Sequence, residues 1–257
     1  MIVSVPVAHI FRYPVSSSEH VDEAMFGTGV EVLDKIESFV KIKTEYGYSG
    51  WVNEGDIAPE LAKPNKMVVL PWADLLPNDK NFNAPVMTLP LGSKVDVGFS
   101  DMFKNHAFVV LPDKRMFYIR KAAIGDIPRG LDEKTARDII CKTALSFLGV
   151  QYRWGGRTHM GIDCSGLAFT AYRMAGIDIW RDADPDKTPG LKKITLDNAC
   201  PGDTLFFPGH MAVYLGNGEF VHASSSAGCV TVASFDEGKS NYSEWCNQNL
   251  ICAGTVF

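Results

Sequence analysis

The stretch Asp163-Cys164-Ser165-Gly166-Leu167-Ala168-Phe169-Thr170-Ala171-Tyr172-Arg173-Met174-Ala175-Gly176 decides how this chain is read. Between Cys164 and Ala175 the apolar side chains Leu167, Ala168, Ala171, Tyr172 and Ala175 recur at helical spacing, and Gly176 ends the run. Trp154-Gly155-Gly156 upstream marks a glycine-rich loop, so Cys164 is expected at the N-terminus of a buried helix. There the helix dipole and the unsatisfied N–H groups favour a thiolate, which is how a nucleophilic thiol is made.

Working outward, Glu133 to Leu148 places Ala136, Ile139, Ile140, Thr143, Ala144, Phe147 and Leu148 on one broad face, with Gly149 at the C-cap position. After the cysteine helix the period switches to strands at Thr204–Phe207, Met211–Leu215, Phe220–Ala223 and Cys229–Val232. Helices first and an antiparallel sheet afterwards describe an α+β domain. His210 and His222 fall in this region, and Asn217-Gly218 between them is a strong hairpin signal, so their strands are expected to pair. A strict two-residue turn would set Leu215 against Phe220 and His222 against Val213; bringing the two rings together then needs a bulge or a longer turn.

The character of the chain changes at Ile127-Pro128-Arg129-Gly130. Before it, Val30–Leu33 and Ser38–Lys43 alternate as half-buried strands do, Gly47-Tyr48-Ser49-Gly50 makes a turn, and Trp51-Val52 resumes a strand. This order suits a small, strongly bent β-barrel. A stretch punctuated by Pro59, Pro64, Pro71, Pro77, Pro85 and Pro90 separates it from a second set of strands, Leu91–Val97, Ala107–Leu111 and Met116–Ile119, with a turn at Pro112-Asp113-Lys114. The expected division is therefore 1–62 and 63–126, two SH3-like barrels with the second divergent, and 127–257, the α+β domain. One larger irregular β domain is the alternative for the first half.

Composition narrows the function. The chain has 257 residues, 46% hydrophobic and 21% charged, the balance of a globular protein. Its net charge of -5 lacks the positive field that nucleic acid attracts. No apolar run reaches the roughly 18 residues of a membrane span. The start, Met-Ile-Val-Ser-Val-Pro-Val-Ala-His, has no basic leader region, and a cytoplasmic location is expected unless a leader was removed, in which case a periplasmic or secreted one is. The cysteines Cys141, Cys164, Cys200, Cys229, Cys246 and Cys252 include no C-x-x-C pair.

Five motifs in order, Tyr152-Arg153-Trp154-Gly155-Gly156, Asp163-Cys164-Ser165-Gly166-Leu167, Pro201-Gly202-Asp203-Thr204-Leu205-Phe206-Phe207, His210-Met211-Ala212-Val213-Tyr214-Leu215-Gly216 and His222-Ala223, resemble the NlpC/p60 cysteine peptidases. The β-rich first half is similar to the bacterial SH3 (SH3b) domains that accompany such enzymes. Val3-Ser4-Val5-Pro6-Val7-Ala8 and Arg181-Asp182-Ala183-Asp184 resemble the YkfC-like γ-D-glutamyl-L-diamino acid endopeptidases of murein-peptide recycling.

The resemblance implies a papain-like fold with Cys164 as nucleophile, His210 as general base and His222 as the residue that orients it. The backbone N–H of Cys164 and the Tyr152 hydroxyl would meet the oxyanion. Asp163, Ser165 and Asp182 would hold polar groups of the substrate, Asp182 its free amine, and Trp154 would line a subsite. An acid and a tyrosine from the first half would suit recognition of an N-terminal ammonium, and Glu54 and Tyr118 are the candidates. Taken alone, Tyr152 and Trp154 also read as core aromatics, Asp163 as an N-cap, and Asp182 as a solvated loop residue. No cofactor is implied, and no metal, because Cys164, His210 and His222 lack a fourth ligand. His9, His20, His106 and His159 match no motif of the family. Met211 and Ala212 stand where the family usually has valine and glycine, and Ala183 where the subgroup often carries a hydroxyl. The implied reaction is hydrolysis of the bond between γ-D-Glu and the diamino acid, diaminopimelate or lysine, in short murein peptides of the L-Ala-γ-D-Glu-diaminopimelate type. An N-acetylmuramoyl-L-alanine amidase on the same fold and a non-catalytic wall-peptide binder are the alternatives.

Overall fold

The computed structural model describes residues 1–59, 64–77, 84–98 and 104–257. The chain forms two compact units, Met1–Ile127 and Pro128–Phe257. Among the described residues no helix is long and apolar enough to cross a membrane.

The first unit is built from short antiparallel strands around two separate cores. In its first sheet the strands lie in the order His20–Met25, Val7–Phe11, Ser49–Asn53, Phe39–Thr44, Val30–Ile36. Alternate residues such as Ala8 and Ile10, or Val40 and Ile42, point into one core with Val3, Ala24 and Val52. The strands expected at Val30–Leu33 and Ser38–Lys43 form and pair as a hairpin, with Glu37 at φ 53° in its turn. Its outer strand is not half-buried as its pattern suggests. Val30 is buried, but Val32, Leu33 and Ile36 are exposed, because this strand is the sheet edge and runs past the core.

The second sheet has the order Met116–Arg120, His106–Val110, Lys94–Gly98, Lys66–Val68, Ile124–Asp126. Its core contains Val68, Leu75, Leu89, Val95, Val97, Val109, Phe117 and Ile119. The proline-punctuated stretch is more than a separator: Lys66–Val68 joins this sheet, and Trp72–Leu75 pairs with Met87–Pro90. Strands of three or four residues flanked by prolines carry too little alternation to be read.

The second unit opens with helix α1 (Glu133–Ser146), whose N-cap Asp132 accepts the Thr135 N–H at 3.0 Å. It buries Ala136, Ile140 and Ala144, and Phe147 follows into the core, whereas Leu148 is 49% exposed. Helix α2 (Cys164–Met174) is buried almost all round. Six strands, β1 (Lys192–Ile194), β2 (Thr204–Phe207), β3 (His210–Gly216), β4 (Glu219–Ser224), β5 (Cys229–Ser234) and β6 (Cys252–Thr255), form one antiparallel sheet in the order β1-β6-β2-β3-β4-β5. A short helix α3 (Glu244–Asn249) precedes β6. Both long helices pack on β3 and β4. The arrangement is α+β, and β1, α3 and β6 are elements that sequence periodicity did not reveal.

The Pro201-Gly202-Asp203 motif ties helices to sheet. The buried Tyr172 hydroxyl donates to the Gly202 carbonyl at 2.6 Å. Arg137 on α1 reaches Asp203 at 2.9 Å and the Pro201 carbonyl at 3.0 Å.

Candidate active site

Helix α2 begins where the sequence places it, with Asp163 as N-cap and Cys164 as the first helical residue. The Asp163 carboxylate accepts the Gly166 N–H at 2.5 Å and the Gly155 N–H at 2.8 Å, so one side chain holds both the helix start and the loop before it. The loop lies so close to the helix that a Cβ on Gly166 would stand 2.4 Å from the Gly156 carbonyl oxygen. This contact explains the glycine two residues after Cys164.

Asp163 and Ser165 have an internal partner that motif reading missed. Arg181 is 1% exposed, and its guanidinium meets the two carboxylate oxygens of Asp163 at 3.1 and 3.0 Å and accompanies them with a bond to the Ser165 hydroxyl at 2.8 Å. A buried guanidinium needs such a fork of acceptors. Arg181 thus braces Asp163 and Ser165 at the start of the helix that carries Cys164. Arg181 was visible in the sequence only as part of a subgroup motif, because nothing local distinguishes a buried arginine from a solvated one.

Cys164 is 6% exposed. Burial pushes its thiol up to about 11, and the neighbouring Asp163 charge adds to this; the N–H groups of Met211 and Ser165 and the Arg181 charge pull the other way and lose. Burial thus favours the protonated sulfur.

Two histidines stand on the neighbouring hairpin. His210 opens β3, His222 lies in β4, and Nε2 of His210 is 2.9 Å from Nδ1 of His222. The turn is the expected one, with Asn217 at φ 53° and Gly218 at φ 74°. The register is not, since Tyr214 pairs with Phe220 and Val213 with Val221, and the shift falls at Leu215. Without that extra residue His222 would oppose Val213, and alternation would put it on the face opposite His210. The bulge moves both imidazoles to one face. Burial holds both rings well below the ordinary histidine value, at about 4, and for His222 the His210 beside it adds to the effect.

Tyr152, Cys164, His210 and His222 line one cavity of about 710 Å³. Burial, then the Cys164 and Asp163 charges, push the Tyr152 phenol up to about 12, so it remains a donor. Ser224, Ser226, Asn241, Ser243 and Trp245 are among the other lining residues, none of which is Asp, Glu, Lys or Arg. Trp245 approaches His210 edge-on with ring centroids 6.2 Å apart; no sequence signal marked it. Trp154, 59% exposed, and Asp182 are outside this lining. In the first unit Glu54 is paired with Lys35 at 2.6 Å, and Tyr118 lies in the strand Met116–Arg120. In the same unit the half-buried Tyr46 hydroxyl donates to the buried Asp22 carboxylate at 2.6 Å. His159 stacks on Phe147 at 3.9 Å as a core ring.

Residues 149–248 match the NlpC/P60 family. The chain is 32% identical to the dipeptidyl-peptidase 6 of Lysinibacillus sphaericus over 268 residues, covering 100% of this chain and 99% of the relative. It is 29% identical to a gamma-D-glutamyl-L-lysine dipeptidyl-peptidase of Bacillus cereus over 234 residues, 78% of this chain and 66% of that one. A crystal structure of an NlpC/P60 family protein from Bacillus cereus superposes with a TM-score of 0.80 at 22% identity, over 98% of this chain and 97% of the other, which is a likeness of fold. With residues 149–248 matching the family and a relative at 32% identity matched along the whole length, the chain belongs to the NlpC/P60 family.

Proposed function

We propose that this protein is a cysteine endopeptidase of peptidoglycan peptides that cleaves between γ-D-Glu and the diamino acid. The observation that carries the chemistry is the 2.9 Å bond between His210 and His222 in the cavity that also holds Cys164. If Nε2 of His210 donates to His222, its Nδ1 is bare and is the base. The Cys164 proton passes to that nitrogen as the sulfur attacks the carbonyl carbon, and the oxyanion meets the Cys164 N–H and the Tyr152 hydroxyl. The imidazolium then protonates the leaving amine, and His210 activates the water that hydrolyses the thioester.

The bond cleaved is taken from the relatives, two of which are named gamma-D-glutamyl-L-lysine dipeptidyl-peptidases. The two cores of the first unit support reading it as two SH3-like barrels.

The test is incubation with L-Ala-γ-D-Glu-meso-diaminopimelate, its N-acetylated form and a muramyl tripeptide, beside Cys164→Ala, with products identified by mass. Release of L-Ala-γ-D-Glu from the free peptide alone is expected. Cleavage between the sugar and L-Ala would replace this reading with an amidase, and inertness towards all three would remove it.

A further inference from the structure

The first unit contains a cluster that the peptidase chemistry does not use. Among the described residues, His9, His20 and Glu23 bring one donor atom each within 4.8 Å of one another. His9 lies in the strand Val7–Phe11, and Glu23 is directly opposite it in His20–Met25. Regular alternation would turn His20 to the other face of the sheet. The register shift between Ile10 and Phe11 instead pairs Phe11 with His20 and Ile10 with Asp22, leaving Val21 as the extra residue. That bulge rotates His20 onto the face of His9 and Glu23.

Two of the three separations are close to those of ligands around one ion. Nδ1 of His9 is 3.2 Å from Nε2 of His20 and 3.6 Å from Oε1 of Glu23. Ligand atoms at about 2.0–2.1 Å from a tetrahedral centre stand about 3.3–3.4 Å apart, between these two values. Without an ion the 3.2 Å contact is a hydrogen bond and the 3.6 Å contact an ion pair when His9 is protonated, and both separations also suit ligands that share a cation. The Glu23 side chain, 1% exposed, is a fixed ligand, whereas His9 at 43% leaves the ion a path from solvent. Two imidazoles and one carboxylate are a donor set for a divalent transition metal rather than for magnesium or calcium.

We infer that His9, His20 and Glu23 form a binding site for a divalent transition-metal ion of the zinc class, with the remaining position open to water. The ion ties the strands Val7–Phe11 and His20–Met25 together and takes no part in the thiol chemistry, so the inference stands apart from the proposed reaction.

The test is titration of the chelator-treated full chain with Co2+, followed by optical spectroscopy. One equivalent is expected to bind with visible d–d bands and without a thiolate charge-transfer band, and Zn2+ is expected to displace it. His9→Ala and His20→Ala should each weaken binding at least tenfold, Glu23→Gln should weaken it, and Cys164→Ala should leave it unchanged. His20→Ala should melt like the parent chain in the presence of chelator, which separates loss of a ligand from loss of the fold. Absence of binding, binding indifferent to His9→Ala and His20→Ala, or a thiolate band that disappears with Cys164→Ala would each overturn the site.

Discussion

Nε2 of His210 and Nδ1 of His222 are 2.9 Å apart only because β3 carries one residue more than its partner strand at Leu215. Two side chains twelve positions apart thus become one functional unit. In the proposed mechanism His222 acts through the other ring, so His222→Ala is expected to lower kcat on the order of 10²-fold while KM changes little, with His222→Asn recovering part of the loss. Steady-state kinetics on the tripeptide decide this; a rise in KM at constant kcat would assign His222 to substrate binding.

Tyr152→Phe removes a hydroxyl from the cavity and nothing from the core. A fall in kcat of roughly 10²-fold is expected, the usual loss for one oxyanion donor, with an unchanged melting temperature. Wild-type kcat in this variant would leave the Cys164 N–H without that partner.

Arg181→Met leaves the Asp163 carboxylate buried without the guanidinium that now covers both its oxygens. Breaking a buried pair from one side costs about 3–5 kcal/mol, and this should appear in a denaturant titration. Asp163→Asn combined with Arg181→Met should be less damaging than Arg181→Met alone. Additive losses would show that the two residues do not act as a pair.

Gly166→Ala places a methyl group 2.4 Å from the Gly156 carbonyl and 2.8 Å from an Asp163 oxygen. Backbone must move, so a loss of about 1–3 kcal/mol and of most activity is expected. Retained stability and activity would mean that the loop can retreat without displacing Cys164.

Both imidazoles titrate at about 4 in the folded chain against 6.5 ordinarily. Between those values the unfolded chain binds more protons, so stability is complete above about 6.5, declines as the pH falls towards 4, and levels below it. The acid limb of kcat/KM should likewise lie well below the ordinary histidine value. Melting curves and a pH–rate profile check both, and an acid limb centred at 6.5 would show that His210 is hydrated in solution.

Much was legible locally. The helix at Cys164, its capping aspartate, the Asn217-Gly218 turn and the strands on either side of it follow from short-range periodicity and backbone preference, which depend on neighbours in the chain. The order of motifs was enough to place Cys164, His210 and His222 in one family pattern. What the sequence could not determine is decided at long range. Arg181 finds Asp163 across eighteen positions of chain because a desolvated charge must be neutralised wherever packing puts it. The upward push on the Cys164 thiol comes from burial, which only the packed structure sets. The faces of His222 in one sheet and His20 in another were set by single-residue bulges at Leu215 and Val21. Strand pairing has a period of two, so one extra residue reverses which face a side chain takes, and only the hydrogen-bond register of the folded sheet records it.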